Sequence, residues 1–407
     1  MAPAGSFAAL HAAAQGGANA VYFGIEQLNM RAKSANNFSI EDLPKITDIC
    51  RQNNMRSYLT VNTILYDKDL PVMRKIMDAA RDACVSAVIV SDQSAIQYAS
   101  QIGLEIHIST QLNVSNLETI RFYSRFAEVI VPARELSLKQ VKHITETIEK
   151  ENITAPSGNP VQIEIFAHGA LCMAVSGKCY LSLHERNASA NRGSCQQTCR
   201  KGYVVTEKES GYQLEIDNEY IMSPKDLCTI GFVDKILDAG ISVFKIEGRA
   251  RPPEYVKTVT RCYREAVEAV FAGTYSKEKV KAWEKELSTV FNRGFWDGYY
   301  MGRKIGEWSK TYGSKATLRK SMLGKVSNYF SKIGVGEFKM LSGELHPGDR
   351  YLISGPTTGA VEGIVEELRL DESPVEQVVK GQIFSMPVKE KLRRSDTLYK
   401  MENVTDN

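Results

Sequence analysis

Half of the chain's eight cysteines fall within LCMAVSGKCYLSLHERNASANRGSCQQTCR, residues 171–200. They are Cys172, Cys179, Cys195 and Cys199, spaced C-x6-C-x15-C-x3-C. Thiolates this close in sequence bind metal or do redox chemistry more often than they only pack. Zinc knuckles use two short C-x2–4-C pairs, and only the last pair here has such spacing. Iron–sulfur clusters tolerate varied spacing, because their ligands need only converge in space. Small and polar residues between the thiols (Ala174, Ser176, Gly177, Asn191, Gly193, Ser194) can fold a backbone around a cluster and aim N–H groups at sulfur. Lys178, Arg186, Arg192 and Arg200 would offset its negative charge. Cys228, further on, competes with Cys199 as fourth ligand. Cys50, Cys84 and Cys262 sit singly in helical patterns and read as small buried hydrophobes.

The elements that must hold these thiols repeat in one order. Short apolar runs at 2–6, 20–24, 57–63, 87–92, 105–110, 128–135, 163–169 and 243–249 read as eight strands. Helical periodicity lies between most of them, at Phe7–Ala14, Ile40–Arg51, Leu70–Val85, Ser94–Ser100, Asn116–Phe126 and Leu138–Glu149. Alternation of this kind implies parallel strands with right-handed crossovers. Eight units predict an α/β fold, a (β/α)8 TIM-type barrel; an open doubly wound sheet is the alternative. No GxGxxG follows a strand, which argues against a dinucleotide site.

The rhythm breaks before the last strand, where a Cys-rich insertion spans about 170–228. A helix is expected over 223–240, with Ser223 as N-cap, Pro224 at its first position and Gly240 as its stop. The catalytic domain is placed at 1–273 and a helical, basic connector at 274–320. A small C-terminal antiparallel β-barrel domain is placed at 321–402, from its turn-punctuated short strands.

Barrel chemistry collects at strand ends, and these ends are polar: Asn62, Asp92, His107, Ser109, Gln111, Arg134, Glu135, His168, Lys245, Glu247 and Arg249. Arg134, Lys245 and Arg249 suit a carboxylate or phosphate, and His107 and His168 suit proton transfer near neutrality. The catalytic candidates are Arg134, Glu135, His168, Lys245, Glu247 and Arg249, with His107 and Gln111 as cofactor-binding candidates. His168 and Cys172 could form a thiol–imidazole pair, but HGALC directly follows a strand.

The net charge is only +3, so any nucleic-acid surface must be local. One candidate is residues 303–332, where Arg303, Lys304, Lys310, Lys315, Arg319, Lys320, Lys325 and Lys332 interleave with Trp308, Tyr312 and Tyr329. HExxH and GxSxG are both absent, which leaves a zinc protease or an α/β-hydrolase without its motif. No apolar run reaches the ~20 residues of a membrane span. Residues 1–20 lack the pattern of an export signal, so a cytoplasmic location is expected.

Several blocks together resemble the collagenase-like peptidase family: APAGSFAALHAAAQGGANAVYFG, STQLNVSN, PARELSL, AHGALCMAVSGKCYLS, NRGSCQQTCR, SPKDLC and FKIEGRARPPEYV. The likeness is strongest to the family's tRNA-hydroxylation branch and runs across nearly the whole chain. It implies an oxygen-independent hydroxylase with a 4Fe-4S cluster on Cys172, Cys179, Cys195 and Cys199. In that branch the product is 5-hydroxyuridine at the tRNA wobble position, with prephenate as a co-requirement. The implied partners are the tRNA anticodon loop and an electron-donor protein. Relatives that hydroxylate rRNA cytidine or a quinone ring share the core, and some take the fourth ligand from downstream, which keeps Cys228 in play.

Overall fold

The computed structural model describes residues 1–32, 37–211, 213–214, 222–302, 307–309 and 313–404. Seven strands follow the chain: β1 (Ala2–Ala4), β2 (Ala20–Phe23), β3 (Arg56–Val61), β4 (Ala87–Val90), β5 (Ile106–Ile108), β6 (Val129–Ile130) and β7 (Gln162–Ala170). Each pairs in parallel with the next. An eighth parallel strand, Val243–Ile246, pairs with β7, and its Ile246 N–H donates to the Met1 carbonyl at 3.0 Å. All eight expected strands are present, in a mixed α/β sheet.

Between them run α1 (Phe7–Gln15), α2 (Leu43–Gln52), α3 (Leu70–Asp82), α4 (Gln93–Gln101), α5 (Leu117–Tyr123) and α6 (Leu138–Lys150). Ser6, Asp92, Asn116 and Ser137 accept from the first turns of α1, α4, α5 and α6, satisfying amides the helix leaves orphaned. Alternate strand residues serve two faces. Val21, Phe23, Leu59, Val61, Val88 and Val90 join the main core with the helices. Ala20, Tyr22, Tyr58, Ala87 and Ile89 form a separate cluster on the opposite face, as the two-residue period of a strand requires.

The segment 223–240 is not one helix. Asp226–Cys228 is a strand, antiparallel to the end of β7, with Cys228 opposite His168. A 3-10 turn follows, and the helix covers only Val233–Asp238. Pairing with β7 outweighs the N-cap signal of Ser223 and Pro224, while Gly240, at φ +72, still ends the helix as expected.

A long helix, Pro253–Phe271, and a shorter one, Lys277–Thr289, lead toward the second domain. That domain is antiparallel, with eight strands in its main sheet and its own core around stacked Phe338 and Phe384. It docks on the first domain through side chains that close main-chain hydrogen bonds. Gln15 donates to the Thr358 carbonyl at 2.9 Å and accepts from Ala360 N–H at 3.0 Å. Lys257 donates to the Ala360 carbonyl at 2.8 Å, and Lys320 pairs with Glu254 at 2.6 Å. Leu352 and Ala360 are part of the main core, so the two domains share buried apolar surface.

Among the described residues, the basic segment 303–332 is divided between separate elements. Glu307 to Ser309 pair with residues 223–225 beside the cysteine insertion. Arg319 and Lys320 lie on the strand Leu318–Phe330 and pair with Glu402 and Glu254. The Tyr329 hydroxyl donates to the carbonyls of Val388 and Lys389. Arg303, Lys304, Lys310 and Tyr312 lie outside the described residues. No helix among the described residues is long and apolar enough to cross a membrane.

Candidate functional site

A cavity of about 180 Å³ opens where the parallel strands end. Its floor carries strand-end side chains: Asn62 after β3, Ser109 and Gln111 after β5, Arg134 after β6, and Lys245, Glu247 and Arg249 on and after the eighth strand. Its roof is the cysteine insertion, and Cys172, Cys179, Cys195 and Cys199 all line it. The local alternation of apolar strand and polar end is therefore what points these groups into one space.

The roof is fixed to the strand-end loops one by one. Arg192 grips Asp69 with both guanidinium nitrogens, at 2.7 and 3.2 Å, and lies over the Tyr66 ring. Ile64 N–H donates to the Asn191 carbonyl at 3.2 Å. Asn113 donates to the Ser176 carbonyl at 2.9 Å, and Arg134 Nε to the Ser176 hydroxyl at 3.0 Å. Gly193, at φ +80, passes so close to the Asn29 carbonyl that an added Cβ would lie 2.3 Å from it. Arg200 ties the end of the insertion to the carbonyls of Leu171 and Pro224, both at 2.6 Å. Arg192 and Arg200, expected to balance cluster charge, anchor the loop, whereas Arg186 pairs with Glu185.

Two of the four thiols, Cys199 and Cys179, are shifted by burial and by the other thiols. Burial pushes Cys199 up to about 11; Arg200 opposes the rise, and Cys172, Cys195 and Cys179 add to it. Burial raises Cys179 too, against main-chain N–H donors from Leu181 and Ser182 that favour its thiolate. Among the described residues, no three His, Cys, Asp or Glu side chains are gathered as ligands of a single metal ion. Cys228 stands apart. It is absent from the cavity wall, lies 3.9 Å from the Tyr263 hydroxyl, and is raised by burial to about 12.

The floor is a charged network. Lys245 Nζ lies 2.8 Å from Glu164 Oε1, with side chains 8% and 0% exposed, and faces the rings of Tyr22 and Phe166. Arg249 Nη1 donates to Asn29 Oδ1 and Thr60 Oγ1, both at 2.9 Å. Burial lowers Arg249 to about 10, which leaves it charged at neutrality. Gly24 makes room for it: a Cβ there would sit 2.5 Å from the guanidinium. Burial by itself would raise the Glu247 carboxyl, yet Arg31, Arg251 and Arg249 hold it below the usual range. Arg31 bonds Glu247 at 3.0 Å and senses Cys195, joining floor to roof.

Three candidates lie elsewhere. His168 is buried against Tyr255, Tyr263 and Phe295, with Nδ1 3.4 Å from the Tyr263 hydroxyl. Burial, with Arg251 nearby, pushes it down to about 3, so it is neutral and does not face the cavity. A register shift between Lys245 and Ile246, opposite His168, interrupts the regular alternation at this point. His107 is buried, 3.0 Å from Glu105 and against the Tyr58 ring, away from the cavity wall. Glu135 is exposed and outside that wall. Sequence reasoning missed Arg31, Asn29, Tyr22, Thr60, Glu164 and Thr198. The loop after AVYFG, holding Asn29 and Arg31, was findable as one more strand end; the inward-facing Tyr22 and Glu164 needed the strand parity.

A sequence profile described as peptidase family U32 matches residues 5–310. The chain is 60% identical over 402 residues to the collagenase of Porphyromonas gingivalis strain W83, covering 99% of this chain and 97% of that protein. It is 32% identical over 392 residues to the tRNA hydroxylation protein P of Helicobacter pylori strain 26695, covering 90% and 86%. A 23S rRNA 5-hydroxycytidine synthase of Escherichia coli is 30% identical over 296 residues, covering 71% of this chain and 43% of that protein.

Proposed function

The chain belongs to peptidase family U32, and on that premise we propose that it is an iron–sulfur-dependent RNA hydroxylase, forming 5-hydroxyuridine at the wobble position of tRNA without dioxygen. One observation carries the reading: four cysteines and a cationic strand-end floor line the same cavity. The donor set fits a multi-iron centre better than one ion. Each thiolate of a cluster binds its own iron, and four cysteines on one cavity wall would offer one thiolate per iron. Cys172, Cys179, Cys195 and Cys199 would hold it. Bound there, a 4Fe-4S cluster would supply single electrons or an open Lewis-acidic iron.

The chain's own residues supply the rest. Arg134, Lys245 and Arg249 offer cations that suit a carboxylate or phosphate. A dicarboxylate such as prephenate suits that pole. Glu247, held ionised by three arginines, offers a hydrogen-bond acceptor at the same wall. An unstacked anticodon base enters such a pocket at smaller cost than a paired one. The reading includes closure of the eight parallel strands into a (β/α)8 barrel, supported by their sequential order and the Ile246–Met1 hydrogen bond. An electron-donor protein and a cytoplasmic setting are part of the same reading.

The test begins with anaerobic purification and assay of iron and sulfide. Nucleoside mass spectrometry of tRNA from a deletion strain, with and without the plasmid-borne gene, then reads the product. Unchanged 5-hydroxyuridine on deletion would remove the tRNA assignment.

A peptidase is the second reading, favoured by the 60% identity to a protein named collagenase. An apolar surface groove holding Cys172, Cys179, Cys199 and His184 is where a thiol–imidazole pair would act. Metal-free protein that cleaves gelatin, and loses cleavage in Cys172→Ser, would favour it.

A further inference from the structure

Three residues that line the cavity each carry a buried oxygen with no hydrogen-bond partner: Gln111 Oε1, Asn191 Oδ1 and Thr198 Oγ1. A buried acceptor left unsatisfied is costly, and native proteins keep few of them. Three around one cavity mark a surface shaped for a ligand that brings N–H or O–H donors. They come from different parts of the chain. Gln111 lies in the 3-10 turn after β5, while Asn191 and Thr198 belong to the roof.

Gln111 is the most constrained of the three. Asn113 Nδ2 donates to the Gln111 carbonyl at 3.0 Å and to the Ser176 carbonyl at 2.9 Å, stapling the turn to the roof. Gly177, at φ +70, leaves room for the carboxamide; a Cβ there would lie 2.7 Å from Gln111 Oε1. A carboxamide offers one acceptor and one donor side by side. Its complement is a ring N–H next to a carbonyl, the edge a uracil presents at N3–H and its flanking oxygens. The cations Lys245 and Arg249 stand on the floor of the same cavity, so one chamber offers an anion pole and an amide pole.

We propose that Gln111 reads the N–H/C=O edge of the target base, its oxygen accepting from the ring N–H, with Asn191 and Thr198 as further acceptors on that wall. The proposal rests on the reading of the cavity as an RNA-base site and adds the residue that recognises the base. A site built to bond a substrate N–H rejects the analogue lacking it.

The test is a binding competition on anaerobically purified full-length protein. Anticodon stem-loops carry uridine or N3-methyluridine at the target position. The wild type is expected to prefer uridine by about 10- to 100-fold. Gln111→Met, of similar length and without the amide, should bring that ratio below about threefold while iron content and thermal midpoint stay at wild-type values. An unchanged ratio in Q111M overturns the proposal and leaves the RNA reading standing. Failure of the wild type to bind either stem-loop overturns both. Should Q111M not fold, Asn191→Leu is read by the same ratio, a fall supporting the proposal and an unchanged value overturning it.

Discussion

The buried pair under the cavity floor gives a prediction that separates folding from function. Lys245 Nζ and Glu164 Oε1 are 2.8 Å apart, with almost no exposed side-chain surface, and Glu164 Oε2 has no partner. At an effective dielectric of about 20, two charges at that separation attract by about 6 kcal/mol. Burying each ion costs several kcal/mol, so the pair contributes little net stability. Removing one partner is different, because it strands the other charge. Lys245→Met or Glu164→Leu alone should each cost about 3–5 kcal/mol, whereas the double variant should return to within about 1–2 kcal/mol of wild type. Tyr22 and Phe166 already flank the ammonium, so a methionine there packs against rings. Urea unfolding at pH 7 of all four proteins closes the cycle. The double variant should fold but lose affinity for a dicarboxylate, since the ammonium that faces the cavity is gone. Single-variant costs that simply add in the double would refute the coupling, and with it the ionised state of the pair.

Further outcomes follow from named contacts. Cys172→Ser, Cys179→Ser, Cys195→Ser and Cys199→Ser should each lose most of the bound iron and sulfide, while Cys228→Ser retains both; iron loss in C228S would restore it as a ligand. His168 takes up no proton in the folded state until about pH 3, whereas the unfolded chain protonates it near pH 6.5. Its contribution is therefore present above about 6.5 and lost as pH falls toward 3, amounting to roughly 2 kcal/mol by pH 5. His168→Gln should flatten that part of the stability–pH curve, and an unchanged slope between pH 7 and 5 would refute the neutral burial. Gly24→Ala puts a Cβ 2.5 Å from the Arg249 guanidinium and 2.8 Å from the Asn29 side chain. It should displace both and lower dicarboxylate affinity about tenfold or more, read by calorimetry; unchanged affinity would take Arg249 out of the anion pole.

Much of the architecture was legible because it is written in local periods. Eight apolar runs with polar ends, separated by helical stretches, need only nearest-neighbour chemistry to be read. The cysteine cluster was legible by type and spacing, and Arg134, Lys245, Glu247, Arg249 and Gln111 by their place at strand ends. Parity and partners were not. His168 lies near the end of β7, where polar residues elsewhere reach the cavity, yet with the register shift opposite it its ring sits among Tyr255, Tyr263 and Phe295. Cys228 sits in a segment with good helix-start signals, but β7 offers it a strand partner. Glu135 is one residue beyond Arg134 and faces solvent.

The sequence by itself determined the order of the elements, the composition of the insertion and the chemistry on offer, since these depend on residues within a few positions of one another. Tertiary structure decided which of those groups meet. Arg31 reaches Glu247 across 216 positions of chain, and Arg192 reaches Asp69 across 123. Contacts of that span depend on how strands stack in register and how the insertion folds back, and both follow from the packing of the whole sheet rather than from any local run of residues.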